Sequence, residues 1–162
     1  MKAELTPRVR QFWAEFEAVA GTEASSRLHE SFHFGDSESL ADELVSLVLV
    51  GTKRATASLL WSYEAEDEPM RKPADLSIVE RWSGQPVCVI ETLSAEVVPF
   101  ESVNAEFAAT EGEGDGSLEY WRRAHWLYFG RECARLGKEP TASMMVVCER
   151  FKVVFRARPP EA

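Results

Sequence analysis

Long hydrophobic runs are missing from this sequence. The longest apolar run, from Leu44 to Val50, is short and is broken by Ser46. A helix needs about 18 apolar residues to span a bilayer. The first four residues, Met-Lys-Ala-Glu, also lack the apolar stretch of a secretory signal peptide. We therefore expect a cytoplasmic protein that makes no membrane contact.

Cysteine is scarce. The chain has three cysteines, and an odd number without close spacing argues against a disulfide framework and against a zinc knuckle. Cys88 and Cys148 lie in strand-like apolar segments, and Cys133 lies in a helical one. We expect all three to be buried free thiols, since a free cysteine behaves as a small hydrophobic residue.

Basic residues are outnumbered by acidic ones. Lysine and arginine total 18 and aspartate and glutamate total 27, which gives a net charge of −9 at pH 7. A protein that binds duplex DNA normally carries a basic face, so the charge argues against duplex DNA as a partner. A role with nucleic acid would need a local basic cleft or a small substrate such as a nucleoside.

Three widespread catalytic motifs are absent as well. The sequence contains no Gly-x-Ser-x-Gly elbow, no Walker phosphate loop and no dinucleotide-binding fingerprint. Their absence weighs against the large nucleotide-hydrolase and dehydrogenase classes.

What the chain does contain is enough apolar material for one globular domain. Hydrophobic residues make up 45% of it, and domains run to about 100–200 residues, so we predict a single domain over residues 1–162.

The pair Thr6-Pro7 provides an N-cap and a proline at the first helical position. It begins a predicted helix over about 7–20, whose apolar stripe is Val9, Phe12, Trp13, Phe16 and Val19.

Strand-like segments cluster in the middle of the chain. Residues 22–35 are predicted as a connection, and 87–92 and 95–100 as two separate strands. The predicted order is two helices, a strand, a loop, three strands, two helices and a final strand. This order indicates an α+β protein with a small mixed or antiparallel β-barrel flanked by helices.

The segment Gly51-Thr52-Lys53-Arg54-Ala55-Thr56 joins an apolar helix to a strand. A glycine can end the helix in a left-handed conformation, which places Lys53 and Thr56 on a short, shaped connection. A lysine and a hydroxyl held close together can bind a carbonyl or phosphate, or act in proton transfer. The alternative is a glycine cap followed by two solvated residues.

A second segment alternates acids with glycines over Glu111, Glu113 and Asp115. It is not an EF-hand loop, because the twelfth position is Arg122 rather than glutamate. Two of these carboxylates could hold magnesium or manganese, or one could act as a general base facing Lys53. The alternative is a solvated acidic loop.

A third segment lies on a predicted helix. Trp121 and His125 are four residues apart and share a face, and Arg122 neighbours His125. An aromatic ring, a cation and an imidazole together could stack a base and hold a phosphate. The alternative is a helix whose aromatic residues enter the core. His29 and His33 would have metal-ligand spacing if they were helical, but no third ligand lies nearby in the sequence.

Together these segments resemble the ASCH family, in its longer bacterial branch, over about residues 30–155. The resemblance is carried by Gly51-Thr52-Lys53-Arg54-Ala55-Thr56, Asp75-Leu76-Ser77-Ile78-Val79, Cys88-Val89-Ile90-Glu91-Thr92, Glu106-Phe107-Ala108 with Glu111-Gly112-Glu113-Gly114-Asp115, and Tyr120-Trp121-Arg122 with His125. It implies a PUA-like β-barrel with a cleft that binds single-stranded RNA or a modified nucleoside.

The same resemblance implies two kinds of chemistry. Some members are described as ribonucleases that act on single-stranded RNA. A shorter branch deacetylates N4-acetylcytidine with a Lys, a Thr and a Glu that fall on Lys53, Thr56 and Glu111. The shorter branch carries an arginine where this chain has Ser58, and it lacks the loop over 112–116 and the segment Trp121-Arg122.

We therefore carry three hypotheses from the sequence. The leading one is a ribonuclease, with Lys53 stabilising the phosphorane, Glu111 or His125 as the base and Arg122 as a phosphate clamp. The second is an amidohydrolase, in which Thr56 is the nucleophile and Lys53 is a base whose pKa is lowered by partial burial. The third is a non-catalytic RNA-binding module. The candidate substrate contacts are Arg54, Ser58, Tyr63, Glu91, Trp121, Arg122 and His125.

Overall fold

The computed structural model describes residues 4–158, which form one five-stranded mixed sheet and five α-helices. The strands are β1 (Leu28–Phe32), β2 (Ala55–Leu59), β3 (Leu76–Glu80), β4 (Pro86–Pro99) and β5 (Met145–Arg156). The helices are α1 (Pro7–Ala20), α2 (Glu38–Leu49), α3 (Leu60–Glu66), α4 (Ala105–Glu111) and α5 (Leu118–Leu136). Two 3-10 turns occupy Thr22–Arg27 and Phe100–Ser102.

The predicted α+β class is confirmed, but the sheet is not closed into a barrel. Its strand order is β1-β3-β4-β5-β2, so β1 and β2 form its two edges and do not pair with each other. The β1–β3 pair is parallel and the other three pairs are antiparallel.

The two strands predicted over 87–92 and 95–100 are one continuous strand, β4. Its pairing with β5 shifts register between Thr92 and Ser94. An extra residue at such a bulge interrupts the inward and outward alternation of side chains. This interruption explains why the sequence pattern indicated two strands.

Helices cover both faces of the central strands. Phe12, Trp13 and Phe16 of α1 pack with Ile78 and Val89 on one face. On the other face, α2 packs against Val79, Cys88 and Ile90. Coverage on both sides explains the run of buried residues at 87–90, where a half-exposed strand would alternate.

The predicted first helix has the predicted bounds and cap. The side chain of Thr6 accepts a hydrogen bond from the backbone N–H of Val9, and Pro7 is the first helical residue. Four members of its predicted apolar stripe are buried, whereas Val19, in the last turn, is 74% exposed. Within the part of the chain that the structure describes, no helix is long and apolar enough to cross a membrane.

The cysteine prediction is confirmed. All three cysteines are buried and free. Burial raises the pKa of the Cys88 and Cys148 thiols to about 12. At neutral pH both therefore stay protonated, and they act as packing residues.

The segment 22–35 was predicted as a connection, and the structure places a 3-10 turn and the edge strand β1 there. The sequence predicts β1 only weakly, because few of its residues are apolar and they do not alternate regularly with polar ones. His29 lies within β1, and its Nδ1 atom is 3.4 Å from Oδ2 of Asp75. His33 follows the strand and lies against the ring of Trp82. The two histidines are not on a helix, so the predicted ligand spacing does not arise.

We predict that Gly112→Ala destabilises the protein more than Gly116→Ala. Both glycines have positive φ, +68° and +78°, and that strain alone costs about 1–2 kcal/mol for alanine. Only at Gly112 would the new Cβ also lie 2.2 Å from the carbonyl oxygen of Thr52, whereas nothing lies within 4 Å at Gly116. Urea unfolding of both variants measures the difference, and equal losses would contradict the prediction.

Candidate functional site

A cavity of about 440 Å³ is lined by residues of β1, β2, α2, α3, α4 and α5 and of the segments that join them. Two polar networks contribute to its wall. The first consists of Lys53, Glu111, Glu113 and His125, and the second of Glu30, Ser58, Tyr63 and Arg71. Thr56 also lines this cavity, from strand β2.

Lys53 is held in the first network by the turn that ends α2. Gly51 adopts a φ of +85°, and the backbone N–H of Lys53 then donates to the carbonyl of Leu47. Its side chain is turned inward and is only 2% exposed. The Nζ atom donates to the carbonyl of Ala55 at 2.7 Å and to Oε2 of Glu111 at 2.9 Å.

Glu111 is fully engaged with neighbouring side chains. It is the last residue of α4 and is 1% exposed. Oε2 accepts from Lys53, while Oε1 accepts from the indole Nε1 of Trp121 at 2.9 Å. His125 Nε2 lies 3.3 Å from Oε1. One carboxylate therefore ties together the end of α2, the end of α4 and the first half of α5.

Lys53 and Glu111 form a charged pair. Burial alone would lower the pKa of Lys53, but the carboxylates of Glu111 and Glu113 raise it above its usual value. Burial would raise the pKa of Glu111, but Lys53 and His125 hold it well below its usual value. The hypothesis that partial burial lowers the pKa of Lys53 is therefore wrong. Lys53 is an ammonium at neutral pH and is not a resting-state base.

Glu113 and His125 complete this network. Burial raises the pKa of Glu113 to about 8, and the neighbouring Glu111 carboxylate adds to the rise. Burial would lower the pKa of His125, but Glu111 raises it. The Nδ1 atom of His125 lies 2.9 Å from the carbonyl oxygen of Trp121. A carbonyl can only accept, so Nδ1 carries a proton and Nε2 faces the two carboxylates.

The predicted metal set does not assemble as expected. Asp115 caps the backbone N–H of Ser117 and does not line the cavity. Ligand atoms of Glu111, Glu113 and His125 do lie within 4.8 Å of one another. However, the ammonium of Lys53 is 2.9 Å from Glu111 and 3.6 Å from Glu113. These residues do not fit a divalent ion, because a lysine already supplies the positive charge at that place.

The second network centres on Arg71, which is 5% exposed. Its guanidinium lies 4.2 Å from the centre of the Phe32 ring and donates to Glu149 at 3.1 Å and to the hydroxyl of Tyr63 at 3.4 Å. It also donates to Ser77 and is paired with Glu30. This network places Tyr63 and its neighbour Ser58, both predicted substrate contacts, in the cavity wall.

Sequence reasoning missed Arg71 as a site residue. It lies in an irregular segment beside Lys72, and nothing local distinguishes the two residues. One feature of the sequence did point to a buried cation: Glu149 is an acidic residue within the apolar strand β5. A buried carboxylate needs a cation or hydrogen-bond donors, and Arg71 and Thr92 meet that need.

Four predicted substrate contacts do not line the cavity: Arg54, Glu91, Trp121 and Arg122. Trp121 is buried in the core, stacked on His125 with ring centres 4.1 Å apart, so it does not offer a face to a base. Arg122 is the next residue on the helix and points to solvent. Arg54 is exposed, and Glu91 pairs with Arg27 at 3.2 Å.

Arg131, one of the residues that line the cavity, forms an ion pair. Arg131 of α5 donates through Nε to Oδ2 of Asp36 at 2.7 Å, and through Nη2 to Oδ1 at 3.2 Å. The Arg131 side chain is 52% exposed. Asp36 lies just before α2, so this pair connects α5 to the segment between β1 and α2.

The sequence profile of the ASCH domain matches residues 30–155. The chain belongs to the ASCH domain family. The resemblance noted from its motifs is thereby confirmed, and the fold is of the general kind used in RNA binding.

Two solved structures match this chain over nearly its whole length. The ASCH domain from Lactobacillus crispatus JV V101 is 36% identical, with 94% of this chain and 97% of that chain covered and a TM-score of 0.86. A protein from Enterococcus faecalis V583 is 29% identical over 92% and 89% of the two chains, with a TM-score of 0.81. A hypothetical protein at 17% identity and a TM-score of 0.51 shares the fold alone. No curated protein matches the chain significantly.

We predict that Lys53→Met alone lowers the free energy of unfolding by about 3–5 kcal/mol, because it leaves Glu111 charged, buried and without its cation. The double variant Lys53→Met/Glu111→Gln should recover a substantial part of that loss, since no uncompensated charge then remains. Urea unfolding of the wild type and the three variants, including Glu111→Gln alone, measures the coupling. A single variant as stable as the wild type would show that the pair is not formed.

Proposed function

We propose that this ASCH protein is an amidohydrolase that removes an acyl group from a small, uncharged nucleoside of the N4-acetylcytidine type. The observation that carries the proposal is that Lys53, Thr56 and Glu111 line one cavity. The cavity volume, about 440 Å³, is within the 300–1,000 Å³ usual for small-molecule sites.

The charge of the cavity wall supports an uncharged substrate. Its basic members are Lys53, Arg71 and Arg131, and its acidic members are Glu30, Glu66, Glu68, Glu111, Glu113 and Glu132. An excess of acids repels phosphate. The exposed Arg122, which the ribonuclease hypothesis needs as a phosphate clamp, is outside the cavity. These observations favour the amidohydrolase over the ribonuclease.

In the proposed reaction the Thr56 hydroxyl attacks the acyl carbon and loses its proton to an ionised carboxylate of the site. The Lys53 ammonium stabilises the negative charge that develops on the carbonyl oxygen. The C–N bond then breaks, and the amine nitrogen leaves with a proton. Water hydrolyses the acyl–Thr56 ester, which releases the carboxylic acid and restores the hydroxyl.

The second network would hold the part of the substrate that does not react. Tyr63 accepts a hydrogen bond from Arg71 and is hydrogen-bonded to Ser58 in the cavity wall, and burial raises the pKa of the Tyr63 hydroxyl. Tyr63 therefore stays a neutral donor and acceptor at neutral pH. A neutral hydroxyl of this kind suits the carbonyl and hydroxyl groups of a nucleoside.

We predict that Thr56→Ala lowers kcat for acetate release from N4-acetylcytidine by about three orders of magnitude. Thr56→Ser should keep much of the activity, because it retains the hydroxyl. Thr141→Ala, at an exposed position, is the matched control and should behave as the wild type does. Release of acetate and cytidine is followed by mass spectrometry. Full activity in Thr56→Ala would exclude this nucleophile.

We also predict that a 5′-phosphate on N4-acetylcytidine lowers kcat/KM at least about tenfold, a repulsion of about 1.4 kcal/mol. The comparison uses one enzyme preparation and both substrates at the same ionic strength. Equal values would contradict the charge argument. Cleavage of labelled single-stranded RNA that is lost in Thr56→Ala or Lys53→Met would instead favour the ribonuclease. Binding without any product would favour the non-catalytic module.

A further inference from the structure

We infer that Glu113, rather than Glu111, is the catalytic residue that carries the proton from the Thr56 hydroxyl to the leaving nitrogen. The inference rests on the proposed amidohydrolase function and deepens it. Glu111 is the acid that the family resemblance points to, and the structure gives it a different role, that of positioning Lys53.

The two carboxyl groups differ in how their oxygens are used. Both oxygens of Glu111 accept hydrogen bonds, one from Lys53 and the other from Trp121. The Oε2 atom of Glu113 is buried and yet accepts no hydrogen bond within residues 4–158. A buried acceptor without a hydrogen bond costs free energy, and a catalytic role is one explanation for its presence in a folded protein. Glu113 lines the cavity, and its Oε2 lies 3.6 Å from both Lys53 Nζ and His125 Nε2, so it is an acceptor beside the cavity that no hydrogen bond occupies.

The chain around Glu113 is built to hold it there. Gly112 and Gly114 flank it with φ of +68° and +58°, a region that other residues rarely adopt. A Cβ at Gly112 would meet the Thr52 carbonyl, and a Cβ at Gly114 would lie 2.4 Å from the ring of Tyr120. At both positions the chain therefore passes close to its neighbours, next to the turn that bears Lys53. This conformation places Oε2 of Glu113 3.6 Å from Nζ of Lys53.

The surrounding groups give Glu113 a proton affinity suited to the task. It faces Lys53 from the turn after α2, Glu111 at the end of α4, and His125 and Tyr128 on α5. Burial raises its pKa to about 8, and in its acid form it can donate to the Glu111 carboxylate. A proton carrier works best with a pKa near the operating pH, whereas the pKa of Glu111 lies well below its usual value.

Glu113 accepts and returns every proton that is transferred in the proposed reaction. Ionised Glu113 takes the proton of the Thr56 hydroxyl as the oxygen–carbon bond forms. The neutral Glu113 then gives that proton to the nitrogen as the C–N bond breaks, so the amine leaves uncharged. In the second half of the cycle Glu113 takes a proton from water as it attacks the acyl ester and returns it to Thr56.

The test measures kcat/KM for N4-acetylcytidine from pH 5.5 to 9.5 in the wild type, Glu113→Gln, Glu113→Asp and the surface control Glu119→Gln. The wild-type value should rise about tenfold per pH unit and level off above about pH 8. Glu113→Gln should lose about 100-fold or more in kcat, and its residual activity should lack the rise. Glu113→Asp should be slower than the wild type but keep the rise, and Glu119→Gln should match the wild type.

A second measurement, the pH dependence of the melting temperature, tests the inference without enzymatic turnover. The pKa of Glu113 is raised in the folded state from the ordinary 4.5 to about 8. Its contribution to stability is therefore full below about pH 4.5 and is lost as the pH rises through about 8. The melting temperature of the wild type should accordingly fall, relative to that of Glu113→Gln, between pH 4.5 and pH 9. An unchanging difference would overturn the inference even if Glu113→Gln is inactive.

The possible results of these experiments distinguish a failure of the role inferred for Glu113 from a failure of the proposed amidohydrolase function. If the wild type releases acetate and Glu113→Gln keeps both its rate and its pH rise, the inference is overturned and the amidohydrolase stands. If Glu113→Gln does not fold, a flat pH profile in Glu113→Asp overturns the inference. If the wild type releases no acetate while it folds normally, the proposed function fails, and this role for Glu113 fails with it.

Discussion

The buried ion pair between Lys53 and Glu111 is the constraint on which the rest of the site depends. Each member is about 1% exposed, so neither charge is tolerable without the other. The pair also connects the end of α2, the end of α4 and, through the indole of Trp121, helix α5. The interaction that fixes the Lys53 ammonium therefore also fixes the helices around the cavity, and neither residue can be replaced without a cost in stability.

Local signals in the sequence were sufficient for most of the fold. Thr6 and Pro7 set the start of α1, and glycines end α1, α4 and α5 because each chain reversal there needs a positive φ. The sequence was less informative where tertiary contacts decide. The edge strand β1 has little apolar alternation, and the pairing that leaves the sheet open depends on partners far apart in the chain.

In the candidate site, too, some residues could be identified from local sequence signals, whereas others depend on tertiary contacts. Lys53 and Glu111 could be found because they lie in recognisable motifs, and the structure brings them within 2.9 Å. The role of Trp121 could not be settled from helical spacing, since that spacing describes both a core stripe and a binding face. Arg71 could not be found locally, because its partners Glu30 and Glu149 are 41 and 78 residues away. The direction of the Lys53 pKa shift likewise depended on knowing that two acids lie beside it.

The ion pair between Arg131 and Asp36 has a consequence of a different kind. The Arg131 side chain is about half exposed to solvent, whereas both members of the Lys53–Glu111 pair are buried. Dissolved ions weaken exposed pairs and hardly reach buried ones. Raising the ionic strength should therefore weaken the Arg131–Asp36 pair, which joins α5 to the segment before α2, and leave the Lys53–Glu111 pair nearly unchanged. Helix α5 is thus held to its neighbours by one polar contact that responds to salt and by another, through Trp121, that is shielded from it.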